Sequence, residues 1–370
     1  VGWRVSFACA AQPSEHSLDL DALGVNSHSV QPNDATFDAW LAELAPEVVV
    51  FDRFMIEEQF GWRVEKSCPQ PLRVLDTSDL HCLREARQTQ LKQGGALDLY
   101  NEIALREIAA IHRSDLTLMI SEYEMEVLRE QFAIPEPQIA YWPFGLEQND
   151  STFPEFDARQ HFIMIGSFMH PPNVDAARWC KQAIWPRIRK ALPEAELHCY
   201  GSYGDKFKGE LHAPKAGFYY KGRADDALAT MANYRVNLAP LRYGAGLKGK
   251  VFDGFQTGTP TVTTLIGAEG IVGDLDWGCA ITDDPQQFAD AAIEVYANAE
   301  RWAEVQAQGQ RIARERFDAA KWQPQLPQLL EAAIAHRDEN RHQQFVGRML
   351  RHHHHRSTEF MSRWIEAKNR

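Results

Sequence analysis

The sequence has no CxxC pair, no apolar run approaching the ~20 residues of a membrane span, and no excess of positive charge. Its six cysteines (Cys9, Cys68, Cys82, Cys180, Cys199, Cys279) are scattered, several inside apolar strand-like runs. They read as buried reduced thiols, and a chain of 370 residues can bury a core without covalent staples. Reduced thiols and the lack of a signal peptide give a cytoplasmic expectation. A net charge of −12 excludes a blanket basic surface, so nucleic acid is not an expected partner. The pattern GxxxxGK[ST] is missing, which excludes a P-loop. No DxD stands at an evident strand end, and no short-period repeat or long low-complexity tract is present.

What is present is an alternation. Strands are predicted at "WRVSFAC", "EVVVFD", "LRVLDT", "DLTLMIS" and "QIAYWP", then at "HFIMIGS", "ELHCYGS", "GFYYKG", "RVNLAPL", "TPTVTT" and "CAITD". Near-continuous apolar strands separated by helical stretches imply parallel sheets covered on both faces. Two such series predict an α/β protein of two doubly wound domains, 1–148 and 149–330. The aperiodic stretch Pro143–Gln160, rich in Pro, Gly, Asn and acids, reads as the linker. A basic helical tail, 331–370, follows. It is expected to cross back to the first domain through Phe345, Met349, Trp364 and Ile365. The run His352–His355 makes a poor metal site, because adjacent helical residues point to different faces.

The densest chemistry lies in "APLRYGAGLKGKVFDGFQTGTPTVTT", Ala239–Thr264. Gly244, Gly246 and Gly249 permit a tight turn and close approach of a ligand. A helix is predicted from Gly249 or Lys250, with Val251, Phe252 and Phe255 inward, ended by Gly258 and Pro260. A glycine-rich turn at a helix N-terminus suits a phosphate, and Lys248 and Lys250 add charge where a diphosphate would lie. Asp253, about one turn in, could accept from the two hydroxyls of a ribose. The competing reading is a solvated Asp–Lys pair.

This segment resembles the donor loop of GT-B glycosyltransferases, particularly family 4, the glycosyl transferases group 1. "Gly-Thr-Pro" at Gly258–Pro260 matches the family pattern, and Asp253 falls on the second acid of its Glu-x7-Glu motif. Ala245 falls on the first, a departure shared with a family branch reading "GAGxKxKxxEA", where loop N–H groups meet the donor. "FIMIGSFMHPPNVDAARW" resembles the family's first strand and turn of the second domain, giving Gly166 and Ser167. "ALPEAELHCYGS" gives Gly201, "GFYYKGR" gives Gly222, and "TLIGAEGI" gives Glu269. The resemblance implies two Rossmann-like domains facing a cleft. The donor set it implies is Gly166, Ser167, Gly201, Gly222, Gly244, Ala245, Gly246, Leu247, Lys248 and Asp253. The start "GWRVSFACA" resembles the family's second strand, so this chain is expected to lack the family's first strand, turn and helix and to be weakly active or inactive.

In the first half, "VLDTSDLHCLREAR" places Asp76, Asp79 and His81 at a strand's carboxyl end, where open α/β sheets bind ligands. A cleft role for Asp79 and His81 competes with capping of the next helix. "FDRFMIEEQF" adds Asp52, Arg53, Glu57 and Glu58, with Arg53 expected to pair with Glu57. His170 follows "GSFM" and could reach the diphosphate. The catalytic candidates are Lys250, His81 and Asp79, with Asp76, His170 and Glu269 as further candidates and no metal ligand among them. The function implied is sugar transfer from a nucleotide-diphosphate donor to a sugar or lipid-linked hydroxyl acceptor. Transfer would be retaining, without metal or cofactor, and with peripheral membrane contact open. The alternatives are a nucleotide-sugar epimerase of the same fold or a non-catalytic binding protein.

Overall fold

In the computed structural model, residues 2–12, 17–148 and 153–369 are described; part of the linker, 149–152, lies outside them. The first domain holds four parallel strands in sequence order: β3 (Val48–Asp52), β4 (Leu72–Asp76), β5 (Leu116–Met119) and β6 (Ile139–Tyr141). Ahead of them β1 (Ser6–Cys9) and β2 (Asn26–Ser29) form a separate parallel pair. Of these, β2 reads "NSHS", which carries no apolar alternation, so only its partner strand marks it as extended.

The second domain is a five-stranded parallel sheet in the order β11-β10-β7-β8-β9. Its strands are β7 (Gln160–Ile165), β8 (Leu197–Tyr200), β9 (Phe218–Gly222), β10 (Tyr234–Ala239) and β11 (Thr261–Thr263). The chain runs outward from β7 to β9, then returns to lay β10 on the other side of β7. The order therefore reverses between β7 and β10, and a crevice opens outside their carboxyl ends. The predicted strand "CAITD" is not formed. Cys279–Asp283 passes as irregular chain, with one backbone bond from Thr282 N–H to the Thr263 carbonyl at 3.3 Å. Trp277 and the Asp284 cap of the next helix fix it from either side.

Each domain has its own core, and a third cluster, Ile120 and Leu146 with Leu247, Phe252 and Ile271, bridges them. Phe162, Trp185, Leu197, Phe218, Val236 and Phe288 are buried together in the second domain, and Val64, Leu75, Leu83, Ile111 and Met119 in the first. The helix Gln325–Gln343 then lies on the first domain's sheet, with Leu326, Leu329, Leu330 and Ile334 against Leu72 and Val74 of β4 and Leu116 and Leu118 of β5. Arg341 fastens it to Asp115 with bonds of 2.7 and 2.6 Å.

The helical residues that follow, 345–369, also contact the first domain, but not through Phe345, Met349 and Trp364, which are exposed. Their inner contacts are Gly347 against the His112 carbonyl, Arg351 to the Arg113 carbonyl at 3.1 Å, and Ser362 with Arg63 at 3.1 Å. Backbone this close to a neighbouring helix leaves room only for small or slender side chains. Arg53 pairs with its neighbour Asp52, not Glu57; Glu57 is buried against Arg113 of the helix Glu102–Arg113. Among the described residues no helix is long and apolar enough to cross a membrane.

Candidate functional site

The loop Pro240–Lys248 leaves β10 beside the crevice and runs into the helix Gly249–Thr257. Lys248 is the N-cap, in an extended conformation, and no side chain occupies the cap. The helix starts and stops as its sequence dictates, with Gly258 left-handed at φ 61° as the C-cap. The opposite wall is the turn after β7. There Asn173 donates to the Ser167 carbonyl at 2.8 Å and accepts from the Lys250 ammonium at 2.8 Å. Gly166 is needed for space: a Cβ there would come within 2.7 Å of the Asn173 amide.

Between these walls and the first domain lies a cleft of about 640 Å³, the size of a small-ligand site. It is lined by Asp79, Gly166, Ser167, His170, Gly201, Gly244, Ala245, Leu247, Lys248, Lys250 and Asp253. Gly246 lies just behind, at φ 63°, where a Cβ would meet Asp79 at 2.7 Å and the Ser78 carbonyl at 2.9 Å. The two domains touch at that glycine.

The other candidates stand outside the lining. His81 packs edge-on against Phe54, with its ring 3.2 Å from the Asp79 carbonyl and 3.4 Å from Glu107. Neither His81 nor Asp79 caps the helix His81–Gln93. Glu107, from the distant helix Glu102–Arg113, accepts from the His81 and Cys82 N–H groups at 3.0 and 2.9 Å. Asp76 accepts from Ser78 N–H at 3.2 Å, and burial raises its pKa. The Gly222 carbonyl accepts from Gly201 N–H at 2.7 Å. Glu269 forms a two-pronged pair with Arg87 at 2.8 and 2.7 Å, and Arg87 also donates to the Gly244 carbonyl at 2.8 Å.

Several residues of the site escaped the sequence reading. Arg84 pairs with Asp79, and Arg84, Arg223, Asn173 and Tyr243 line the cleft. Arg223 directly follows the end of β9, so the strand-end rule points to it. Arg84 sits one turn into the helix after β4, a place no motif marks. Glu124 is fully buried at the seam, where one oxygen accepts from Gly246 N–H at 2.6 Å and Leu80 N–H at 3.2 Å.

The electrostatics follow from burial. Desolvation lowers Lys250 to about 8, helped by the charge of Lys248 and opposed by Asp253. It raises Asp253 to about 6, with Lys250 opposing. Lys248 is lowered by the same cause, and its ammonium donates to the Gly246 carbonyl. His170 is lowered by burial and then by the Arg84 charge. Four cationic side chains (Lys248, Lys250, Arg84 and Arg223) and a helix N-terminus thus converge from two domains. That arrangement can hold a polyanion, with Asp253 left to accept from hydroxyls.

A two-domain, doubly wound fold with its switch-point crevice facing an interdomain cleft is the GT-B architecture. Residues 159–298, most of the second domain, match the family model described as Glycosyl transferases group 1. A 217-residue stretch is 23% identical to an "uncharacterized 44.6 kDa protein in cps region" of Klebsiella pneumoniae, covering 56% of this chain and 54% of that protein.

Solved structures with the same fold include sucrose-phosphate synthase from Thermosynechococcus elongatus, with a TM-score of 0.68, 14% identity and 90% of each chain covered. Anabaena HepE, solved with UDP and glucose, gives a TM-score of 0.64 and 14% identity, over 88% of this chain and 91% of that one. The pneumococcal O-GlcNAc transferase GtfA, solved with UDP and GlcNAc, gives 0.62 and 18%, over 81% of this chain. The present chain spans 60% of that structure and just over half of the Klebsiella protein.

Proposed function

We propose that the protein transfers a sugar from a nucleoside-diphosphate donor to a hydroxyl of a sugar or lipid-linked acceptor, as the family 4 likeness implies. One observation carries this reading: lysines, arginines and a helix N-terminus meet in a single cleft between two domains of GT-B fold. HepE and GtfA, solved with UDP and a sugar, support a nucleotide-sugar ligand for such a fold.

In this reading the N–H groups at the start of Gly249–Thr257 and the Lys250 ammonium hold the diphosphate, with Arg84 and Arg223 facing it across the cleft. Asp253 accepts from the ribose hydroxyls. Gly166, Ser167, Gly201, Gly244, Ala245 and Leu247 let the donor approach backbone. Negative charge grows on the leaving β-phosphate as the glycosidic bond breaks, and fixed cations stabilise it more in the transition state than in the ground state. The transfer is proposed to retain the anomeric configuration and to rely on these cations for charge neutralisation. Asp79 orients Arg84, and His81 supports Asp79 from behind.

Calorimetric titration with UDP tests donor binding. Binding that vanishes in Lys250→Ala supports the reading, and wild-type protein that takes up no nucleotide overturns it. Product analysis with donor alone separates transfer from epimerisation: an epimer formed without acceptor would favour the epimerase.

A further inference from the structure

The helical residues 345–369 are built inside out. Facing the first domain are Gly347, Arg351 at 6% exposure and Ser362 at 2%. Facing water are Phe345 at 70%, Met349 at 44%, Phe360 at 66%, Met361 at 59% and Trp364 at 60%. The spacing accounts for the split. Gly347 and Arg351 are one turn apart, as are Phe345 and Met349, and Phe360 and Trp364, so each set keeps to its own side. Isolated exposed apolar residues are ordinary, but a helix that hides its small and polar residues and presents its largest apolar ones has a second apolar partner.

The charges on the same stretch select that partner. Arg348, Arg356, Arg363 and Lys368 are exposed, while the two acids between them, Glu359 and Glu366, are partly buried. Glu359 is engaged by Lys66 and Arg363. A basic, aromatic- and methionine-studded face stands out on a chain of net charge −12. A second copy docked on it by two-fold symmetry would set these arginines against their own equivalents. Anionic lipid headgroups meet them with opposite charge, and the acyl boundary takes the apolar side chains.

We infer that this helical face is a membrane-surface anchor, lying in the interface of an anionic bilayer with Phe360, Met361 and Trp364 inserted. The inference is independent of the glycosyl-transfer reading, and its test does not use the nucleotide.

The test is co-flotation of the full chain with vesicles of phosphatidylglycerol and phosphatidylcholine, and with phosphatidylcholine alone. Binding is expected to the anionic vesicles only. It should weaken by about tenfold or more in the triple variant Phe360→Ser/Met361→Ser/Trp364→Ser, and weaken with a shallower dependence on added salt in Arg348→Gln/Arg356→Gln. The second variant keeps every apolar residue and guards against misfolding of the first. Wild-type protein that stays with the soluble fraction overturns the anchor, as does unchanged binding in both variants. Sedimentation velocity without lipid supplies the other arm: a dimer that the triple variant abolishes would assign the face to a second copy and also overturn it.

Discussion

At the scale of single residues, Asp253 and Lys250 face each other across one helical turn, and burial drives their pKa values toward one another, to about 6 and about 8. Nucleotide binding as proposed needs the carboxylate charged and the ammonium protonated. Protonating Asp253 removes the ribose acceptor, and deprotonating Lys250 removes a diphosphate donor. The pH profile of kcat/KM, which reports the free enzyme, should therefore rise through about 6 and fall through about 8. In Lys250→Arg the falling limb should move beyond the measurable range, because a guanidinium does not titrate there. Asp253→Asn keeps the shape but weakens acceptance. Hydrogen bonds to charged groups contribute about 1.5–3 kcal/mol, so UDP affinity measured by calorimetry should fall roughly ten- to a hundredfold. A solvated Asp–Lys pair would leave it unchanged.

At the scale of elements, local chemistry made much of the molecule legible. The helix Gly249–Thr257 and its Gly258 cap follow from a glycine-bracketed turn, an apolar stripe and a Gly-Thr-Pro stop. Ten of the eleven expected strands form because each is an apolar run bounded by turn residues. What was hidden is held by partners far along the chain. β2 is extended only because β1 lies beside it, and "CAITD" has strand composition but a single backbone bond to β11. The helix His81–Gln93 is capped by Glu107, and Arg87 reaches Glu269 across 182 positions; neither pairing has a local signature. The ion pair of Glu57 and Arg113 is of the same kind, with both side chains almost fully buried between two helices. Truncating one partner strands a charge. Arg113→Ala should destabilise the protein by about 3–5 kcal/mol in denaturant unfolding, whereas Arg113→Met/Glu57→Leu should recover most of that loss.

At the scale of the whole molecule, the seam between domains combines polar contacts around the loop after β10 with apolar ones, Ala245 against the first domain's core and Ile120 in one buried cluster with Leu247. Glu124 is central to it, and burial, with the Asp79 charge adding, raises its pKa to about 7 while the Gly246 N–H opposes the shift. A carboxyl raised in the folded state takes up a proton on folding, so its contribution to stability is lost as pH rises from the ordinary carboxylate range through about 7. Lys248 faces the same seam. The melting temperature should drop between about pH 5 and pH 7.5 in the wild type, and drop less in Glu124→Gln, which cannot ionise. Equal drops would remove Glu124 from the seam's titration.

The chain crosses between domains twice, once near Leu146 and once near Asp318, and the two crossings are stitched together. Leu146 N–H donates to the Phe317 carbonyl at 2.6 Å, and Ala319 N–H donates to the Leu146 carbonyl at 2.9 Å. Two parallel tethers bound side by side resist twist and shear but still bend. Any rotation of one domain on the other therefore has to turn both tethers together at that stitch, as the two covers of a book turn on one spine.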